Sequence, residues 1–184
     1  MRALFVASYY YLMASLPALF LDEESPITPA EFMALCDRWL DADDARDIHC
    51  LMDNHSERAQ AACIHQWQAR ETEIRNALVR LRAAKVRVDA EPFLQPCREL
   101  DLYTEKAVAE AMSRPQPLER ELGLDQLRWS LLDDLSRFDP FGLPAVIAYA
   151  LKLKLVGRWS ALTVEQGRAV VEKHLTKQLA EMAV

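Results

Sequence analysis

Apolar residues recur every three or four positions along most of this chain, which predicts a succession of amphipathic helices. The longest such stretch is Glu71-Thr72-Glu73-Ile74-Arg75-Asn76-Ala77-Leu78-Val79-Arg80-Leu81-Arg82-Ala83-Ala84-Lys85. Ile74, Ala77, Leu78 and Leu81 share one helical face, while Arg75, Arg82 and Lys85 fall largely around the other side. Ser56 is a candidate cap for this helix, which then runs to Val88 without a glycine or proline, a span of about 50 Å at about 1.5 Å per residue.

Upstream, Phe5–Met13 is aromatic-rich and compatible with a short extended segment, within a stretch that reads as a buried strand or helix. Thr28-Pro29-Ala30-Glu31 has the form of a capping box with proline in the first turn, and predicts a helix to about Leu40 through Phe32, Leu35, Cys36 and Trp39. Asp43 or Asp44 caps a short helix through Leu51.

Downstream, Glu91-Pro92 and Gln95-Pro96 interrupt the pattern, because a residue before proline is pushed out of helical space; 91–96 is the best internal boundary. Helical spacing resumes from Arg98 to Met112 and again from Leu118 to Phe138, with Gly123 and Asp125 as a possible joint in the second. Asp139-Pro140-Phe141-Gly142 is a turn, Pro144 opens a helix to about Trp159, and Thr163-Val164-Glu165-Gln166 is a second capping box opening a last helix. The whole of 1–184 therefore reads as one all-α domain, a helical bundle with one long helix.

Composition agrees with this, since half the residues are apolar, only four of 184 are glycine, and Ala, Leu, Glu and Arg dominate. A net charge of −6 argues against a nucleic-acid partner, which requires Lys and Arg gathered on one face. Locally the charge is segregated. Arg70, Arg75, Arg80, Arg82, Lys85 and Arg87 follow the acidic run Asp41, Asp43, Asp44, Asp47 and Asp53, and solvated helix faces account for both. Ala3–Leu21 is nearly uncharged, but its tyrosines, serines and Pro17 fit neither a membrane span nor a signal peptide, so no direct membrane insertion is expected.

Candidate chemistry is sparse. Cys36, Cys50, Cys63 and Cys97 lack a CxxC pair and read as reduced core thiols of a cytoplasmic protein. His49, Cys50, His55, Cys63 and His65 place five potential zinc ligands close together, yet Cys63 and His65 are two apart on a predicted helix and diverge around it. No oxyanion turn accompanies a Cys/His pair, no phosphate-binding glycine loop is present, and the neighbours Asp133-Asp134 diverge rather than converge. Neither catalysis nor a cofactor is expected. Trp39, Trp67, Trp129 and Trp159 lie on or beside apolar stripes and suit core packing, although any exposed one would suit a protein interface.

Two passages resemble a central-stalk component of V-type and archaeal-type ATPases, the one known as C or d. One is Glu71–Lys85, with its Glu-x-Glu-Ile-Arg-Asn wording. The other runs from Asp139-Pro140-Phe141-Gly142 through Tyr149, Leu151, Gly157-Arg158-Trp159 to Thr163 and Arg168. With the opening Tyr9-Tyr10-Tyr11-Leu12-Met13-Ala14-Ser15-Leu16-Pro17, most of the chain is similar to short uncharacterised bacterial proteins that accompany V-type ATPase genes.

The resemblance implies part of the C/d fold and a non-catalytic component coupling the rotor shaft to the membrane ring in proton or sodium ion transport. Its partners would be the V-type ATPase stalk and membrane-ring subunits, and its place the cytoplasm, peripheral to the membrane through the complex. By motif position it implies partner contacts at Arg75, Asn76, Arg80, Arg82, Lys85, Phe141 and Gly142. A general helical adaptor and a small zinc-binding helical protein are the alternatives.

Overall fold

A computed structural model describes residues 2–97 and 101–162, together with Gly167. The described residues form an all-helical bundle: α1 Arg2–Ser15, α2 Pro29–Trp39, α3 Ala42–Met52, α4 Ala62–Val86, α5 Leu102–Ser113, α6 Pro117–Ser136 and α7 Leu143–Ser160. Short 3₁₀ turns at Ser56–Arg58 and Glu91–Phe93 flank α4. The helix expected from Thr163 onward lies outside the described residues.

The segment Phe5–Met13 is helical, not extended. No strand lies among the described residues to pair with it, so its backbone groups are satisfied within α1. Leu12 is fully buried, and the Tyr149 hydroxyl on α7 donates to the Pro17 carbonyl at 3.0 Å, fastening the chain just beyond α1.

The capping box of α2 forms as expected: Glu31 N–H donates to Thr28 Oγ1 at 3.2 Å and Thr28 N–H to Glu31 Oε2 at 2.8 Å. These bonds from Thr28, backbone first, hold the Glu31 carboxyl below its ordinary range. The cap of α3 is Asp41, rather than Asp43 or Asp44. Its Oδ1 accepts from both of their N–H groups, at 3.1 and 2.9 Å, which leaves their own carboxylates in the first turn, where the helix dipole favours negative charge.

The long helix starts later than expected. Ser56 begins a 3₁₀ turn, and α4 opens only at Ala62, so it spans about 37 Å at about 1.5 Å per residue. Buried Asp47 on α3 explains the break, because its carboxylate accepts from the N–H of Gln60 at 3.0 and 3.1 Å and of Ala61 at 2.7 Å. A side chain from another helix thus supplies the cap that Ala61 lacks. At the other end Arg87 turns left-handed, at φ 59°, and Val88 N–H closes onto the Ala83 carbonyl at 3.0 Å, ending α4 at Val86.

The buried face of α4 is also rotated from the expected one. Ile74 and Ala77 are buried, but Leu78 is only half-buried and Leu81 is exposed; the buried row instead takes in Glu73, Asn76 and Ala83. Polar members of that row find partners inside, so hydrophobicity alone pointed to the wrong edge.

Gly123 and Asp125 do not form a joint, since α6 is unbroken. A Cβ at Gly123 would lie 2.9 Å from the Ala111 Cβ of α5 and 3.0 Å from the Arg114 guanidinium, so glycine serves helix–helix approach here. Gly123→Ala is expected to lower stability by about 1–3 kcal/mol through overpacking, despite alanine's better helix propensity. A urea-unfolding midpoint at or above that of the native protein would refute this.

Two apolar clusters make up the core. Leu12, Ile27, Phe32, Cys36, Ile48, Leu51 and Ile64 pack with Val146, Ile147, Tyr149, Ala150 and Leu153 of α7. Trp67, Ile74, Val108, Leu124, Leu127, Leu131 and Leu132 pack with Ala148 of the same helix. α7 is therefore the shared wall, which is why it is apolar nearly all round. Lys154 near its end donates to the Leu51 carbonyl at 2.6 Å, the Met52 carbonyl at 3.3 Å and Asn54 Oδ1 at 2.7 Å, capping α3.

The Tyr9 hydroxyl donates to the Asp44 carboxylate between α1 and α3. Burial raises the Asp44 pKa above its ordinary 3.8, helped by Asp41, Asp47 and Asp43 and opposed by the Tyr9 bond. The folded state then binds this proton more tightly than the unfolded chain, so the contribution of Asp44 to stability declines as pH rises from about 3.8 through the raised value. Asp44→Asn should gain on the native protein between about pH 4 and pH 7 in urea unfolding; a difference independent of pH would rule this out.

Candidate docking surfaces

The residues singled out on α4 fall into two groups. Arg75, Arg82 and Lys85 are exposed, and Arg87 extends the same basic end beyond the helix. Asn76 is buried and turned inward: its Nδ2 donates to the Gln95 carbonyl at 2.8 Å while its Oδ1 accepts from the Gln95 N–H at 2.9 Å. This pair of hydrogen bonds satisfies a loop backbone as a neighbouring strand would. Arg75 supports it, with NH1 donating to Gln95 Oε1 at 3.0 Å. Asn76 therefore fixes the 91–96 turn against α4.

Arg80 is intermediate between these groups. Its NH1 lies 3.5 Å from Glu105 Oε1 on α5 and is buried without a hydrogen-bond partner, so it braces α4 against α5 rather than pointing freely outward. Earlier on α4, Arg70 pairs with Glu73 at 2.9 Å and reaches Asp101, the cap of α5, at 3.7 Å.

Phe141 and Gly142 lie on a separate surface. Gly142 is the cap residue of α7, and the Asp139 carboxylate packs directly on it, occupying the place a Cβ would take. Phe141 is exposed and leans on Tyr10 of α1, ring centroids 4.9 Å apart. A row of rings continues from there: Tyr10 to Tyr11 at 6.0 Å, and Tyr11 to Trp39 at 5.8 Å. Of the tryptophans, Trp67 is core, whereas Trp129 carries the Lys152 ammonium at 4.8 Å.

A polar network was not anticipated. Fully buried Asp125 on α6 accepts from Arg128 NH1 at 2.9 Å, from Trp159 Nε1 at 2.8 Å and from Arg158 of α7. Arg128 also donates to Glu71 of α4, Nε to Oε1 at 2.7 Å. Burial works against the Arg128 charge, but Glu71 and Asp125 outweigh it, and its pKa is raised. The Asp125–Arg128 spacing of three was a readable signal. Glu71, 57 residues away from Arg128, carried none.

The histidines and cysteines do not gather. His49 Nε2 meets Asp37 Oδ1 at 2.7 Å, His55 lies 3.4 Å from Glu57, and His65 meets Gln68 Oε1 at 3.2 Å. Burial pushes the Cys36 thiol up to about 12 and raises that of Cys63, the opposite of what a nucleophile or metal ligand needs. Among the described residues no group of three or more His, Cys, Asp or Glu is placed to hold a metal ion. The acidic run upstream is largely spent on helix ends, at Asp41, Asp47 and Asp53.

An open groove of about 1330 Å³ lies between the first half of α4 and the end of α6, lined by Trp67, Arg70, Glu73, Asp101, Leu131 and Phe138. No helix among the described residues is long and apolar enough to cross a membrane.

Residues 98–181 match a family described as a protein of unknown function (DUF2764), a stretch that takes in α5, α6 and α7. No curated protein and no solved structure gives a significant match to the chain. The family match brings no activity or partner with it.

Proposed function

We propose that the chain is a non-catalytic, C/d-like component of a V-type ATPase central stalk, helping to couple the rotor shaft to the membrane ring in proton or sodium ion transport. Two things support this reading: the resemblance of the Glu71–Lys85 and Asp139–Arg168 stretches, and an all-helical build in which side chains such as Arg128, Lys154 and Trp159 tie one helix to another. The carrying observation is the second half of α4, where Arg75, Arg82 and Lys85 are exposed while Asn76, from the same motif, is spent on an internal loop. Such a face suits an acidic partner surface in the stalk or ring. The protein would then sit in the cytoplasm, peripheral to the membrane through the complex. A general helical adaptor with no ATPase connection is the second reading, and the same exposed basic face serves it.

The test is charge reversal at Arg82→Glu with Lys85→Glu, leaving Arg80 alone because a carboxylate there would face Glu105. Co-purification with ATPase stalk or ring subunits should fall, and the native interaction should weaken with salt as charges are screened beyond about 8 Å. Stability should change by no more than about 0.5 kcal/mol. Normal co-purification by the variant would remove this face from the interface. If no ATPase subunits co-purify with the native protein, the stalk reading fails and the adaptor reading remains.

A further inference from the structure

The second half of α4 and the residues just beyond it contain a repeat of seven. Arg75-Asn76-Ala77-Leu78-Val79-Arg80-Leu81 is followed by Arg82-Ala83-Ala84-Lys85-Val86-Arg87-Val88, both of the form Arg-x-Ala-x-Val-Arg-aliphatic. The first copy is engaged by the rest of the molecule. Asn76 and Ala77 are buried, Arg75 donates to Gln95 Oε1 at 3.0 Å, and Arg80 lies 3.5 Å from Glu105 of α5. The second copy is not. Only Ala83 within it is buried, Val86 and Val88 are 67 and 53 % exposed, and the side chains of Arg82, Lys85 and Arg87 make no hydrogen bond or ion pair among the described residues.

These three cations are therefore unspent, and their surroundings leave them so. No carboxylate follows Glu73 on α4. Beyond the helix, Asp89 accepts from the Glu91 N–H at 3.1 Å, and neither acid forms an ion pair with the three bases. The acidic run belongs to the opposite end of α4, where Asp47 holds Gln60 and Ala61; the length of α4 far exceeds the about 8 Å over which exposed charges act, so the net charge of −6 does not cancel the basic end.

Charge calls for an acidic partner, and the spacing says what form it takes. Leu78, Arg82 and Lys85, like Val79, Arg82 and Val86, stand three and four apart, the ridge against which another helix packs. Aliphatic side chains border the bases, which a bare polyanion would leave uncovered. Three free bases also fall short of the about four to eight that hold a segment on an anionic membrane. The molecule pairs the first copy in this way already: Arg70 and Arg80 of α4 reach Asp101 and Glu105 at the start of α5.

We infer that the end of α4, from Leu81 to Val88, seats an acidic amphipathic helix of a protein partner, which supplies to the second copy what α5 supplies to the first. Its carboxylates meet Arg82 and Lys85, and its apolar side chains cover Leu81 and Val86. The inference rests on the reading that this basic face binds a protein, but not on that protein belonging to a rotary ATPase.

The probe is a three-heptad helical peptide of Glu, Leu and Ala, with a leucine row bordered by glutamates, titrated against the full chain by calorimetry and by the Val86 and Val88 methyl signals in NMR. The controls are the same residues scrambled so that no face forms, and phosphatidylserine vesicles. The patterned peptide should bind about tenfold more tightly than the scrambled one and shift both methyl signals, with no binding to vesicles. Val86→Ser with Val88→Ser keeps every charge and alters only exposed side chains, so it should reduce the patterned peptide to the scrambled level with helix content unchanged. Arg82→Gln with Lys85→Gln should weaken both peptides. Equal binding of the two peptides, unchanged affinity in either variant, or binding to vesicles would each overturn the proposal. If the patterned peptide binds but no ATPase subunits co-purify, the seat stands and the stalk reading alone fails. If ATPase subunits co-purify through Arg82 and Lys85 but the peptide does not bind, the helical occupant fails and the stalk reading stands.

Discussion

Asp125→Ala should lower the unfolding free energy by about 3–5 kcal/mol, as expected when one partner of a buried ionic network is removed. The carboxylate is fully buried and receives three donors from two helices. Without it, the Trp159 indole N–H and one edge of the Arg128 guanidinium lose their acceptor, and a buried donor left unmatched costs more than a hydrogen bond contributes. Arg158, whose side chain is 44 % exposed, can turn to water, which keeps the loss from being larger. Arg128→Ala should also destabilise, by leaving Asp125 and Glu71 short of their shared cation. Combined, the two substitutions should cost clearly less than the sum of the singles. Strict additivity in urea unfolding would mean that the two side chains are not energetically linked.

Phe32→Ala should cost about 3–5 kcal/mol, since its ring is fully buried, 5.4 Å from the ring of Tyr149 on α7. Ile74→Ala, in the other cluster, should cost about 2–5 kcal/mol. Half-buried Leu78 should cost less than either, because less of its surface leaves water. As α7 walls both clusters, each substitution should lower the midpoint of one common transition, followed equally by circular dichroism and tryptophan fluorescence. Two separated transitions would show that the clusters are independent domains.

Much of the fold was readable from local chemistry. Thr28 and Glu31 needed only each other to announce α2, and Pro144 the start of α7, because capping and proline act over a few residues. Misreadings arose where a distant residue decides the matter. Ser56 reads as a cap until Asp47 is seen holding the backbone of Gln60 and Ala61 from another helix. Gly123 reads as a joint until Ala111 is seen pressed against it. The surfaces divide the same way: Arg75, Arg82 and Lys85 followed from helical spacing, but Asn76 and Arg80 were drawn inward by Gln95 and Glu105, which periodicity does not reveal. The aromatic row was least legible, since its four rings come from three separate segments.

Because α7 closes both clusters, the order of synthesis matters. A ribosome delivers α1 to α6 first, so the Ile48 and Leu51 side of one hollow and the Leu127 and Leu131 side of the other wait uncovered until residues 143–160 emerge. Two of the contacts that then form join residues far apart in the chain, Tyr149 to Pro17 across 132 positions and Lys154 to Leu51 across 103. Such distant pairings slow folding relative to a bundle of neighbouring helices. A nascent chain stalled before Leu143 would thus present two open apolar surfaces at once, the kind of exposure that chaperones hold and proteases clear.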